Sequence, residues 1–183
     1  MEPGNWKQKI RIEHLWGLTV LAGAFIFMNL HPIRPNDFWF HITYGRDFIE
    51  SGQIPLNDTF SFTMAGQPYE SNNNYWLAQA IMYLVYTLGG AEWIVLFFSL
   101  LITLSYSILF SVNLKQTSNW RVAALSVLFA ISFGIANWNI RPQLFAYFYA
   151  TLLIWAIQKY RREKKGWNWI LILFFGMVFW VNS

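Results

Sequence analysis

Long apolar runs alternate with short polar segments along this chain, and the lengths of the runs predict helices that cross a membrane. Such a helix needs about 20 mostly apolar residues. Five runs approach that length without a charged residue, namely 15–33, 93–114, 122–140, 142–158 and 166–183. The predicted fold class is therefore all-α, a polytopic membrane helical bundle of about five transmembrane helices.

A sixth apolar run, 75–88, is too short to cross. Its 14 residues would cover about 21 Å as a helix, against a hydrocarbon core of about 30 Å, and it ends at Gly89-Gly90. If this run does not cross, ten of the thirteen Lys and Arg residues fall on one side, which is the side expected in the cytoplasm. We therefore predict that 75–88 is an interfacial helix and that the N-terminus is cytoplasmic.

This topology places a long polar loop, about 31–92, on the outer face. Six of the nine carboxylates of the chain lie in it. Within the loop, Asn36-Asp37 is expected to cap a helix over 38–51, Gly52 to end it, and 59–63 to form a short extended piece. The whole chain, 1–183, is interpreted as one membrane domain, and its stop within an apolar run predicts the N-terminal part of a longer protein.

Composition agrees with lipid as the solvent. Charged residues make up 12% of the chain and aromatic residues 20%, whereas soluble domains carry roughly 25% charged residues. The basic residues sit between apolar runs, as membrane proteins keep them, so the pI of about 9.4 indicates membrane lipid as a partner and not nucleic acid. Cysteine is absent, which excludes disulfides and thiolate metal sites.

Asp37 is the first candidate for a catalytic or ligand-binding role, because it follows the first apolar run by a few residues. One interpretation is a helix N-cap, and the other is a general base or metal ligand at the membrane surface. Asp37 and His41 stand four residues apart on one helical face. That spacing fits a weak divalent-metal site or a simple hydrogen-bonded pair, and no cofactor is required by it.

Arg141 is the second candidate, since it is a cation on the outer side between two apolar runs. It could extend to lipid headgroups, or its planar fork could hold a phosphate group. Pro142 is expected to begin the next helix, whose free N–H groups would favour an anion. Gln143 could assist by hydrogen bonding.

These residues resemble a known pattern. The stretch from Asp37 to Arg46, then Gly52-Gln53-Ile54-Pro55, the segment 58–63, Arg141-Pro142-Gln143 and the closing Trp180-Val181-Asn182 are similar to the bacterial members of the GT-C glycosyltransferase superfamily. That superfamily includes the protein O-mannosyltransferases, the lipid A aminoarabinose transferase and the catalytic subunit of oligosaccharyltransferase. The resemblance covers nearly the whole chain.

The resemblance implies an enzyme that transfers a sugar from a polyprenyl-phosphate donor to a glycan, lipid or protein acceptor at the outer face of the bacterial inner membrane. It implies that Asp37 is the catalytic carboxylate of the first outer loop. His41, Arg46 and Asp58 match the pattern and join Arg141 and Gln143 as candidate substrate-binding residues.

Two other functions remain open on sequence grounds. A transporter or flippase of lipid-linked glycans would also place polar groups at the membrane, although it predicts ionisable residues inside the helices, where this chain has none. The other alternative is a non-catalytic membrane subunit or an inactive fragment.

Overall fold

The computed structural model describes residues 11–68, 75–163 and 168–183. The regular secondary structure of these ranges is helical, and the only other pairing in them is an isolated bridge between Asn57 and Pro68. The helices are α1 (Ile12–Leu30), α2 (Pro35–Ser51), α3 (Trp76–Thr117), α4 (Trp120–Gly134), α5 (Leu144–Glu163) and α6 (Asn168–Val181), with a 3₁₀ turn (Ile135–Asn137) after α4. The all-α prediction is therefore confirmed for the described residues.

Three of these helical segments are long and apolar enough to cross a membrane: Ile12–Leu30, Trp76–Thr117 and Trp120–Asn137. Their outward surfaces expose large apolar side chains, such as Phe133 at 82% and Leu18 at 64%, which water does not favour. The chain is thus a helical membrane protein. α5 is not among the candidate spans, and the described apolar part of α6 is the shorter segment Leu171–Val181.

α3 is two helices joined at a sharp break. Gly89 and Gly90 have non-helical backbone angles. Gly90 has φ +71°, in a backbone region that residues other than glycine rarely adopt. The predicted end of the run 75–88 at Gly89-Gly90 is confirmed here. The first part of α3, 76–88, packs against α2, whereas the second part, 91–117, enters the helical bundle.

Ring contacts fix the relative directions of the helices. α1 and α4 run parallel, because ring contacts join them near both ends. The ring centroids of His14 and Trp120 lie 4.6 Å apart near the helix starts, and those of Phe27 and Trp138 lie 6.0 Å apart near the helix ends. The second part of α3 runs the opposite way, since Phe110 near its end lies 5.5 Å from Trp120 at the start of α4. α5 runs with it, because the Arg162 guanidinium near the end of α5 donates to the Lys115 carbonyl oxygen at 3.0 Å.

The bundle therefore has two distinct ends. We call one the Asp37 end, formed by residues 31–68 and 138–143, and the other the Lys115 end, formed by residues 115–121 and 159–163. α6 returns toward the Asp37 end, where Asn182 accepts a hydrogen bond from the Trp76 indole at 3.0 Å.

The core lies where α1, α3 and α4 meet, and it extends beneath α2. Its largest fully buried side chains are aromatic or thioether groups, including Met28, Phe38, Met82, Phe98 and Trp138. Phe38 comes from α2, so the polar loop is anchored in the same core as the membrane helices.

Three local predictions were wrong. The segment 59–63 is not extended, because it forms bends and turns around Asp58. Asn36-Asp37 does not cap α2: Arg34 is the residue at the N-cap, without a side-chain hydrogen bond, and Asp37 lies in the first turn. α5 begins at Leu144 and not at Pro142, since the chain first makes a turn there.

Gly45 marks the closest approach of α2 to α3. A Cβ at this position would overlap the backbone carbonyl of Gln79 and the Cβ of Tyr83. We expect Gly45→Ala to destabilise the protein by about 1–3 kcal/mol, because backbone must move to accommodate the methyl group.

The measurement is the thermal unfolding midpoint in detergent, with tryptophan fluorescence as the signal. Gly23→Ala is the matched control, because a Cβ there meets nothing within 4 Å. An unchanged midpoint for Gly45→Ala would contradict the close packing of α2 on α3.

Candidate functional site

An ion pair joins the loop helix to the membrane bundle at the Asp37 end. The Arg141 Nη2 atom lies 3.0 Å from Oδ2 of Asp37, with 35% of the arginine side chain and 47% of the aspartate side chain exposed. The two residues are more than a hundred positions apart in the chain, yet the fold places them together. Both remain accessible to a ligand.

Buried neighbours hold Arg141 in position. Trp138 is fully buried against Phe27 and Tyr106, and Ile140 and Pro142 are also buried, so Arg141 projects from a loop that is anchored on both sides. This loop connects the 3₁₀ turn to α5. The guanidinium is therefore preorganised and not carried by a free surface segment.

His41 lies one helical turn after Asp37 and is 5% exposed. Its Nδ1 atom is 3.1 Å from Nε2 of Gln79. An amide nitrogen only donates, so in this orientation Nδ1 accepts and the ring proton sits on Nε2.

Burial lowers the pKa of His41 from 6.5 to about 4; nearby Asp37 opposes this shift and Arg141 adds to it. The imidazole is therefore neutral near pH 7. In that form it positions α2 against α3 through Gln79 and does not bring a second cation to Arg141.

Arg46 and Asp58 lie away from the ion pair. Arg46 is nine residues beyond Asp37, which is about 13.5 Å along the helix and on the opposite side of it. It pairs instead with its neighbour Asp47 at 3.0 Å. The Asp47 carboxylate also accepts a hydrogen bond from Thr59 at 2.8 Å, which ties the loop to the far end of α2.

Asp58 organises the loop around itself. Its Oδ1 atom accepts the backbone N–H groups of Phe60 and Ser61, each at 2.8 Å. Hydrogen bonds from Ser61, and to a lesser degree from Phe60, lower the pKa of this carboxyl. The described contacts of Asp58 are all within the loop, so the structure gives it a folding role.

Gln143 is exposed and lies two residues after Arg141. Its side chain makes no hydrogen bond within the described ranges, so it is available at the Asp37 end. The N–H groups of Leu144, Phe145 and Ala146 are already bonded to the carbonyls three residues earlier. The predicted set of free helix N–H donors is therefore wrong, and an anion here depends on Arg141.

The Asp37 and His41 pair does not fit a metal site. Among the described residues, no group of three or more His, Asp or Glu side chains could surround an ion. Asp37 is already paired with Arg141, and the Nδ1 atom of His41 is engaged by Gln79. Two such ligands are too few for a divalent cation.

Two residues of this region were missed in the sequence. Gln79 orients His41 from the first part of α3, although nothing in the local pattern marks it. Asn139, two residues before Arg141, has a buried Oδ1 atom without a hydrogen-bond partner in the part of the chain that the structure describes. Its place in the polar interruption 137–143 was the available signal.

Comparison with known proteins adds no relative. No family model matches this chain, and neither the curated proteins nor the solved structures contain a significant match to it.

Protonation of His41 should make folding stability depend on pH. Its folded pKa is about 4 and its ordinary value 6.5, so the unfolded chain binds the proton more readily between these values. The stability contributed by neutral His41 is complete above pH 6.5 and is lost as the pH falls toward 4. We expect a loss of about 2 kcal/mol between pH 7 and pH 5.

Thermal unfolding midpoints at pH 7 and pH 5 measure this loss. His41→Gln should be less stable at pH 7 but should show a smaller drop on acidification. His31→Gln, a partly exposed histidine at the end of α1, serves as the control and should keep the full drop. Equal pH dependence of the wild type and His41→Gln would contradict this assignment.

Proposed function

We propose that the chain carries a sugar-transfer site at the outer face of a bacterial inner membrane, with a polyprenyl-phosphate sugar as donor. The observation that carries the proposal is the accessible ion pair between Asp37 and Arg141 at the end of a membrane bundle. A carboxylate and a guanidinium at one membrane surface supply a proton acceptor and a phosphate ligand. The GT-C resemblance supports the same chemistry.

The ion pair represents the resting state of the site. The phosphate of a polyprenyl-phosphate sugar is a diester, with one negative charge shared by two acceptor oxygens. These oxygens match the planar fork of Arg141, so the donor competes with Asp37 for it. Because both side chains are partly exposed, the pair contributes little stability and can be exchanged. Donor binding at Arg141 therefore releases Asp37.

The released Asp37 acts as the general base. An acceptor hydroxyl attacks the anomeric carbon and forms the new glycosidic bond, while the bond from that carbon to the donor phosphate oxygen breaks. Asp37 takes the hydroxyl proton, and Arg141 stabilises the charge on the departing polyprenyl phosphate. Attack opposite the leaving group inverts the anomeric configuration. Gln143, exposed beside Arg141, is available to hydrogen-bond the sugar.

The distribution of charge supports the placement of the Asp37 end at the outer face of the membrane. Among the described Lys and Arg residues, most lie at the Lys115 end and three at the Asp37 end. The first group is Arg11, Lys115, Arg121, Lys159, Arg161 and Arg162, and the second is Arg34, Arg46 and Arg141. The positive-inside rule puts the first group in the cytoplasm.

The alternating helix directions favour five crossings, by α1, the second part of α3, α4, α5 and α6. In this arrangement α2 and the first part of α3 lie along the outer surface, and Tyr75 and Tyr83 lie at headgroup level.

Replacing Asp37 should separate binding from transfer. In Asp37→Asn we expect transfer to fall at least about 100-fold, since the base is lost, while donor affinity rises because Arg141 is no longer paired. Arg141→Ala should weaken donor binding at least about tenfold. Donor binding is measured by tryptophan fluorescence with a panel of polyprenyl-phosphate sugars. Transfer is measured as release of the polyprenyl phosphate.

Asp47→Asn is the matched control, because Asp47 pairs with Arg46 on the same helix at the same 3.0 Å distance. It should bind donor and transfer sugar like the wild type. Undiminished transfer by Asp37→Asn would remove Asp37 from the mechanism, and unchanged donor affinity would show that the ion pair does not compete with phosphate.

The orientation is testable by single-cysteine labelling, since the chain has no cysteine of its own. Phe62, whose side chain is fully exposed in the loop, should react as Phe62→Cys with an impermeant maleimide added to intact cells. Gln116→Cys, at the exposed Lys115 end, should react only after the membrane is permeabilised. The reverse pattern would refute the outer-face site.

A further inference from the structure

A long apolar groove runs between the parallel helices α1 and α4. Its volume is about 670 Å³, and its walls include Val20 and Phe27 from α1 and Leu125 and Leu128 from α4. The lining begins at Ile12 and ends at Phe27, which is about 22 Å along α1. The groove therefore follows most of the thickness of a hydrocarbon core of about 30 Å.

Small residues create the space in this groove. Gly23, Ala24 and Ala124 line it, and a Cβ added at Gly23 would meet nothing within 4 Å. A concave, apolar surface of this length on a membrane helix pair matches the shape of a hydrocarbon chain. It offers almost no polar group that would orient a soluble ligand.

A cation stands at one end of the groove. The Arg121 guanidinium lies 5.9 Å from the centre of the Trp16 ring, and both residues line the groove. Arg121 is exposed and makes no ion pair within the described ranges. Arginine over tryptophan at the boundary of an apolar region is an arrangement that serves lipid headgroups, because the ring settles at the interface and the fork binds phosphate.

We propose that this groove binds one acidic phospholipid, with the headgroup phosphate on Arg121 and an acyl chain lying along α1 and α4 past Gly23. Charge complementarity selects the anionic headgroup, and the open surface at Gly23 accommodates the chain. The site lies at the Lys115 end of the groove and is separate from the ion pair of Asp37 and Arg141, so it does not depend on the proposed sugar transfer.

Native mass spectrometry of the purified chain tests this site, with phosphatidylglycerol and phosphatidylcholine as probes. The wild type should retain one phosphatidylglycerol in preference to phosphatidylcholine by about tenfold, which corresponds to about 1.4 kcal/mol. Arg121→Gln should lose that preference, because the neutral amide no longer selects the anionic headgroup. Gly23→Leu should lose retention of both lipids, because leucine fills the groove.

Two control variants locate the effect. Gly176→Leu makes the same exchange in α6, where a Cβ also meets nothing within 4 Å, and Arg162→Gln removes a cation that lies at the Lys115 end but does not line the groove. Both should retain phosphatidylglycerol like the wild type. Arg121 is exposed, so its variant remains informative even if Gly23→Leu fails to fold.

Three results would overturn the proposal. The first is wild-type phosphatidylglycerol retention in both Arg121→Gln and Gly23→Leu. The second is loss of that lipid in Arg162→Gln with none in Arg121→Gln, which moves the site to the pocket beside Lys115. The third is a lipid-free dimer of the wild type that Gly23→Leu converts to a monomer, which makes the groove an interface between two copies.

Discussion

The close approach of α2 to α3 at Gly45 is the constraint on which the arrangement of the polar loop depends. α2 is half-buried, and Phe38, His41 and Ile42 on its inward side are buried in the core. A side chain at position 45 would hold the two backbones apart and would withdraw these residues from the core. The Gly89-Gly90 break completes the arrangement, because it lets 76–88 support α2 while 91–117 stays in the bundle. Asp37 reaches Arg141 as a result.

The ion pair combines a precise position with a weak interaction. Buried neighbours on both sides fix Arg141, and α2 fixes Asp37, yet the charged groups themselves remain in contact with solvent. A buried pair would resist any ligand, because removing one partner leaves an uncompensated charge. An exposed pair is screened and easily exchanged. The proposed function requires an exposed pair, since the donor phosphate must be able to displace the carboxylate from the guanidinium.

The two ends of the bundle differ in how they use arginine. At the Asp37 end, Arg141 has a carboxylate partner that a ligand must displace. At the Lys115 end, Arg121 has an aromatic ring beneath it and no carboxylate partner among the described residues, so an anion meets no competitor there. The groove between α1 and α4 runs from Arg121 to Trp138, three residues before Arg141. A lipid held there would support the helix pair whose far end carries the candidate site.

The sequence by itself determined the helical class, the break at Gly89-Gly90 and the end of α2 at Gly52, and it singled out Asp37 and Arg141 as candidates. Apolar run lengths, glycine conformation and the rarity of charge beside membrane helices are local properties, so local sequence reveals them. It did not determine the first turn of α2, the turn around Asp58 or the start of α5. At these places, alternative hydrogen bonds between residues close in sequence differ little in energy. Only the tertiary structure paired Asp37 with Arg141 and His41 with Gln79, and separated Arg46 and Asp58 from them, because contacts between distant segments follow from the packing of whole helices.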